Sequence, residues 1–227
     1  MKFNESIYQS FALRFQTIEF EESEYLAHHG VARYKKKKGN AIYRISLSMS
    51  LTNRGFVRIS GDLGFESMNY HLGKIIDLKN PDFEPLLTSH EVWRDKEAWT
   101  QILKDLGSMP LKLKSEVEAF QVAIMNHVGT YILPFFEKYP DLQAVNDKIL
   151  NVIPQNDYSD YIPGLEKNLK VLIIMRLCGN PKYEEFRDWA LDAYKRGVEI
   201  DANKYAQGLK DIQKLVAYLE SEDFKKD

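Results

Sequence analysis

The run Ala41-Ile42-Tyr43-Arg44-Ile45-Ser46-Leu47-Ser48-Met49-Ser50-Leu51-Thr52 is apolar at every odd position and, after Ile42, polar at every even one. A period of two over this length is a half-buried β-strand, because successive side chains on an extended backbone leave from opposite faces. Val57, Ile59, Leu63 and Phe65 repeat the pattern against Arg58, Ser60, Asp62 and Glu66. Gly39-Asn40 as a two-residue loop pairs Lys38 with Ala41 and Tyr34 with Ile45. Ala32 and Tyr34 then share the core face with Ile45 and Leu47. A three-residue loop, Asn53-Arg54-Gly55, keeps Leu51 opposite Val57 and Leu47 opposite Gly61. A slip of one residue would turn the apolar set to water, so this register is favoured.

The strand before Gly39 ends in four lysines, Lys35 to Lys38. Parity puts Arg33, Lys35 and Lys37 on the face away from the core, beside Arg44, Ser46, Ser48, Ser50, Arg58, Ser60 and Asp62. Arg33, Lys35, Lys37, Arg44, Ser46 and Arg58 are therefore the candidate ligand-binding set. Ammonium and guanidinium groups attract phosphate, and hydroxyls donate to it. The competing reading is a solvated face whose lysines guard an edge strand against unwanted pairing. Tyr34 and Tyr43 fall on the core side, so the face lacks the interleaved aromatics that stack single-stranded nucleic acid. The formal net charge is -2. Any nucleic-acid role would thus rest on a local basic patch.

Near residue 95 the period becomes helical. A leading helix is expected over residues 4 to 18, followed by an acidic link from Glu19 to Glu24. Lys96 to Leu106 reads as a helix closed by Gly107. A long helix from Pro110 to Tyr139 follows, with the stripe Leu113, Val117, Phe120, Ile124, Val128, Tyr131 and Phe135. Pro134 should kink or break it. Leu165 to Cys178 is a further helix stopped by Gly179. Asn180 as cap and Pro181 at the first position open the next, which should end at Gly197. Asp201 caps the last, and residues 140 to 164 read as irregular. Strands first and helices afterwards predict an α+β fold. It comprises an N-terminal helix and a three- to four-stranded antiparallel meander over 1–92, with an all-helical half over 93–227 packed on it as a single unit.

FALRFQTIEF, VARYKK, YRISLSMS and FVRISGDLGF together resemble a bacterial family of uncharacterised proteins, a domain of unknown function. In that family a leading helix precedes a short antiparallel sheet, and helices follow. The resemblance lies within residues 5 to 140. It implies an α+β fold and a bacterial, cytoplasmic origin, and it implies no activity and no functional residues.

Chemistry-bearing residues are sparse. Cys178 is the single cysteine, so no disulfide within the chain and no Cys-based zinc site can form. At the end of an apolar helix it reads as a small buried hydrophobe. His28 and His29, adjacent on an extended chain, point apart. A metal would have to gather His71, His90, His127 or carboxylates from a distance, and neither metal nor cofactor is expected. His127 reads as a hydrogen-bonded core histidine. Ser60-Gly61-Asp62-Leu63-Gly64 places glycines in a strand, which marks a bulge or a close backbone approach. No Gly-x-Ser-x-Gly, Gly-rich phosphate loop or His-Glu-x-x-His occurs. Asp157 and Asp160 could act as an acid–base pair in a hydrolase, or simply shape a turn. Trp93, Arg94, Tyr158 and Tyr161 are candidate contacts for a protein partner.

The first residues carry no signal-peptide pattern. The apolar run Val171 to Met175 is cut by Arg176, far short of the ~20 residues that cross a bilayer. A cytoplasmic protein without a membrane span is expected. Lacking a coherent catalytic set, the chain is expected to be a non-enzymatic binding or protein-interaction protein. Anionic-ligand or nucleic-acid binding on the basic, serine-rich face is one alternative, and hydrolysis at Asp157 and Asp160 is the other.

Overall fold

In the computed structural model the alternating run forms the hairpin that its period demands. Strand β2 (Val31–Lys38) pairs with β3 (Ala41–Met49), with Lys38 opposite Ala41, Lys35 opposite Arg44 and Tyr34 opposite Ile45. Gly39 turns the chain at a φ of 58°, a left-handed backbone that glycine adopts without a Cβ clash. The structure describes residues 3–26, 28–50, 56–80, 82–89, 104, 111, 113–164 and 166–224. The expected 53–55 loop, Trp93 and Arg94 lie outside the described residues, as does the expected Lys96–Leu106 helix apart from Lys104.

A five-stranded antiparallel sheet in the order β1-β2-β3-β4-β5 is completed by β1 (Glu21–Leu26), β4 (Phe56–Phe65) and β5 (Leu87–Thr88). The expected acidic link is thus largely a strand. Its sequence, EESEYL, has the polar composition of a connector. It pairs because it lies along the lysine-rich strand, with Glu21 opposite Lys35 and Glu24 opposite Arg33, across a bulge between Glu22 and Glu24. Charge complementarity at an exposed edge does here what apolar alternation does in β3.

Two compact units divide the chain, Met1–Leu63 with Leu87–Pro140, and Gly64–Leu86 with Asp141–Asp227. In the first, helix α1 (Phe3–Gln16) buries Phe11 and Phe15. The Phe15 ring lies 4.2 Å from that of Tyr34, centroid to centroid. The Tyr34 hydroxyl donates to the Tyr8 carbonyl at 3.1 Å, and the Tyr8 hydroxyl donates to the Gly30 carbonyl. Burial pushes both phenols well above the usual tyrosine range.

The first unit also holds the long helix, which is not uniform. In the second unit α2 (Glu66–Gly73) follows β4 directly. Back in the first, α3 (Lys114–His127) runs into a π-helical turn, Val128–Ile132, and then α4 (Leu133–Lys138), with Pro134 in its first turn. Proline has no N–H to give the preceding turn, and the wider turn just before it accommodates that loss. The extra residue of a π turn also shifts the phase of the stripe. Ile132 is buried, while Tyr131, inward by a straight period, is 38% exposed. Gly61 of β4 faces this turn, and a Cβ there would lie 2.5 Å from Ile132 Cγ2. The close approach expected at Gly61 is therefore present.

The second unit continues with α5 (Leu142–Val145), a π turn (Asn146–Leu150), a 3-10 turn (Gln155–Asp160), α6 (Lys167–Leu177), α7 (Tyr183–Ile200) and α8 (Ala202–Leu219). Residues 142–160, expected to be irregular, are therefore largely short helical turns. Asp141 caps α5 by accepting from the Ala144 N–H at 2.7 Å. Helix α6 is buried from Leu169 to Met175. Its Lys170 ammonium is satisfied by Glu84 Oε1 and the Pro85 carbonyl, both at 2.9 Å. Gly179 at a φ of 60° ends the helix, and Asn180 Oδ1 accepts from the Lys182 N–H at 2.8 Å before α7 begins. Gly197 does not end α7. It seats the ring of Tyr205, and Gly208 seats that of Tyr194. The paired numbers fall on one helix as they rise on the other, so α7 and α8 run antiparallel. Asp201 caps α8 through the Lys204 N–H at 3.2 Å. Among the described residues no helix is long and apolar enough to cross a membrane.

Candidate functional site

Across β2 and β3 the outer sheet face has the register that parity assigns, whereas in β4 Ser60 and Asp62, read as outward, are buried and Val57 is 49% exposed. Two of the outer face's charges, Arg33 and Arg44, are nevertheless engaged with carboxylates. Arg33 pairs with Glu24 of β1. Arg44 donates from Nε and Nη2 to Asp62 Oδ2 at 3.2 and 3.0 Å, with side chains 16% and 9% exposed. Ser46 stands opposite Arg33 and is half-buried, Lys35 is half-buried, and Lys37 and Arg58 are exposed.

The other candidates are dispersed. Asp157 and Asp160 are exposed on the 3-10 turn, and Tyr161 is half-buried. Tyr158 is 5% exposed, and its hydroxyl donates to the Leu150 carbonyl at 2.8 Å. Burial, aided by Asp147 and Asp141, pushes the Cys178 thiol up to about 11, which keeps it protonated and unreactive at neutral pH. His127 is buried as expected, but its Nδ1 has no hydrogen-bond partner among the described residues. It sits on the apolar side of α3, where burial lowers its pKa to about 4 and holds the ring neutral. His71 Nδ1 lies 2.8 Å from the Tyr218 hydroxyl. No group of three or more His, Cys, Asp or Glu side chains able to hold a metal occurs among the described residues.

The other half of the lysine run defines a different place. Lys36 and Lys38 have the parity of Ala32 and Tyr34, the core side of β2. At that end of the hairpin the core opens into a cleft of about 460 Å³ within the first unit. Lys36 and Lys38 line it together with Tyr43 of β3, Phe20 and Glu19 after α1, and Phe136 and Glu137 of α4. Its floor is aromatic. Phe20 and Phe136 stack with centroids 6.1 Å apart, and Tyr43 lies 4.9 Å from Phe136. The Lys36 ammonium stands 5.8 Å from the Phe20 ring centroid.

Glu19 sits at the rim in an unusual backbone state. The Glu19 N–H donates to the Gln16 carbonyl at 3.0 Å, and the Phe20 N–H donates to the Phe15 carbonyl at 2.9 Å. These two bonds are the Schellman closure of a helix, whose left-handed position is usually glycine. Glu19 holds it with a φ of 66°, the one left-handed non-glycine among the described residues. Its carboxylate lies 2.6 Å from Lys36 Nζ and is 79% exposed. The hydrogen bond from Lys36, then the charges of Lys36 and Lys38, hold the Glu19 carboxyl below the usual glutamate range.

No family model, curated protein or solved structure matches the chain.

Proposed function

We propose that the protein is a non-enzymatic cytoplasmic binding protein and that it takes a small ligand into the cleft of its first unit. The supporting observation is that two lysines of one strand, at core parity, line an aromatic-floored cleft. Small-molecule sites pair an apolar wall with a few placed polar groups, in volumes of about 300–1,000 Å³. The outer face is a weaker site for an anion, because Arg44 is held by Asp62, a carboxylate only 9% exposed that does not leave into water as an exposed one can. A single cysteine suits a reducing compartment.

The test is thermal unfolding against small organic acids, nucleotides, inorganic phosphate and short oligonucleotides. A ligand at 100 times its Kd adds about 2.7 kcal/mol, which raises the midpoint of a chain this size by roughly 5–10 °C. An organic acid should give the shift, Lys38→Ala should abolish it, and Lys35→Ala should leave it intact. A shift with oligonucleotides alone, lost in Lys35→Ala, would move the site to the outer face and end the cleft reading.

A further inference from the structure

This inference rests on the cleft reading and names what the cleft holds. The Lys36 ammonium already carries a carboxylate, that of Glu19. Stability does not account for a glutamate at that position. An ion pair whose acid is mostly in water contributes little to the fold. A left-handed backbone disfavours any residue with a Cβ, so glycine would close the helix with less strain. What Glu19 does provide is an anion on Lys36, at the edge of the Phe20, Phe136 and Tyr43 rings.

We propose that Glu19 is an internal surrogate for the ligand's carboxylate. The cleft takes a monocarboxylate with an apolar body, and the ligand displaces Glu19 from Lys36. The acid group meets Lys36 with Lys38 beside it, and the apolar body lies against Ile18, Leu133 and Pro140 and the edges of the buried rings beneath them. Glu137 on the helical side repels a second anionic group, which selects against dicarboxylates and phosphates. Displacement is easy because the Glu19 side chain is already 79% exposed and is hydrated as it leaves.

Isothermal titration of the full chain with indole-3-acetate, neutral indole-3-acetamide and phenyl phosphate tests this. Glu19→Gln removes the competing charge at constant size, and Glu19→Gly also relieves the backbone. Both should bind indole-3-acetate about threefold more tightly than the wild type, the scale of one exposed ion pair. The amide should bind weakest, and Lys36→Met should erase the gain. Unchanged affinity in both Glu19 variants, with binding still lost in Lys38→Ala, would reject the surrogate and leave the cleft standing. Tighter binding of phenyl phosphate than of indole-3-acetate would reject the carboxylate class. No heat with any probe, in wild type or either Glu19 variant, all with intact thermal transitions, would reject the surrogate and the cleft together.

Discussion

Gly208 of α8 is the seat of the Tyr194 ring of α7, and a β-carbon there would stand 2.5 Å from Tyr194 Cε1. Two effects of opposite sign therefore meet in Gly208→Ala. Alanine in a helix interior gains about 1 kcal/mol over glycine. Forcing a packed ring aside costs about 1–3 kcal/mol. The substitution should destabilise the wild type. In a Tyr194→Ala background the obstacle is gone, and the same change should stabilise by about 1 kcal/mol. Urea unfolding of the four proteins in the cycle reads the inversion. An equal loss in both backgrounds would show that the ring is not the obstacle.

Among the described residues of the sheet, Arg44 and Asp62 form the best-buried ion pair, with side chains 16% and 9% exposed. Asp62→Ala removes the carboxylate to which Arg44, only 16% exposed, donates twice, and should cost about 3 kcal/mol. Replacing both charges at once, as Arg44→Met with Asp62→Leu, should cost clearly less, because no charge is then left buried. Chemical denaturation of the single and double variants decides. A double variant as unstable as the sum of its parts would mean that the two side chains act independently.

His127 gives the fold a pH dependence whose sign follows from burial. Its folded pKa of about 4 lies below the ordinary 6.5. The unfolded chain takes up the proton first as pH falls, so the stability this neutral ring contributes is complete above pH 6.5 and drains away towards pH 4. His127→Leu cannot titrate. The stability difference between His127→Leu and the wild type should be flat above neutrality and shift in favour of the leucine variant across that window. A difference that stays constant down to pH 4 would place a proton, or a proton partner, on the folded histidine.

Local signals carried much of the fold. Period two and a Gly-Asn loop set the β2–β3 register, and Gly179 and Asp201 marked helix boundaries, whereas Asn180 and Pro181, read as cap and first helical residue, lie in the turn before α7 begins at Tyr183. Signals that depend on a neighbour were silent. EESEYL becomes a strand because of the lysines beside it, which no window over residues 21–26 contains. Gly197 looked like a helix stop because glycine is a poor helix former, whereas its role is to admit the Tyr205 ring. The cleft was half legible. Parity marks Lys36 and Lys38 as charged groups at core positions, and such an anomaly points to a place where the core opens. Glu19 was not legible, since nothing in the composition of Thr17-Ile18-Glu19-Phe20 announces a left-handed glutamate.

That left-handed position can be separated from the ion pair by two substitutions at Glu19. Alanine and glycine both remove the carboxylate, so the loss of the Lys36 contact is common to them. They differ in the Cβ, which is strained at a φ of 66°. In the unfolded chain glycine is the more flexible of the two, which works against Glu19→Gly. At a Schellman closure the native-state term prevails, because the conformation demanded is one that glycine reaches readily. Glu19→Gly should therefore unfold at higher urea than Glu19→Ala, with equal m-values. The reverse order would mean that the backbone at residue 19 relaxes to a right-handed state once the carboxylate is gone. The ion pair with Lys36, rather than the helix closure, would then be what holds Glu19 left-handed at the cleft rim.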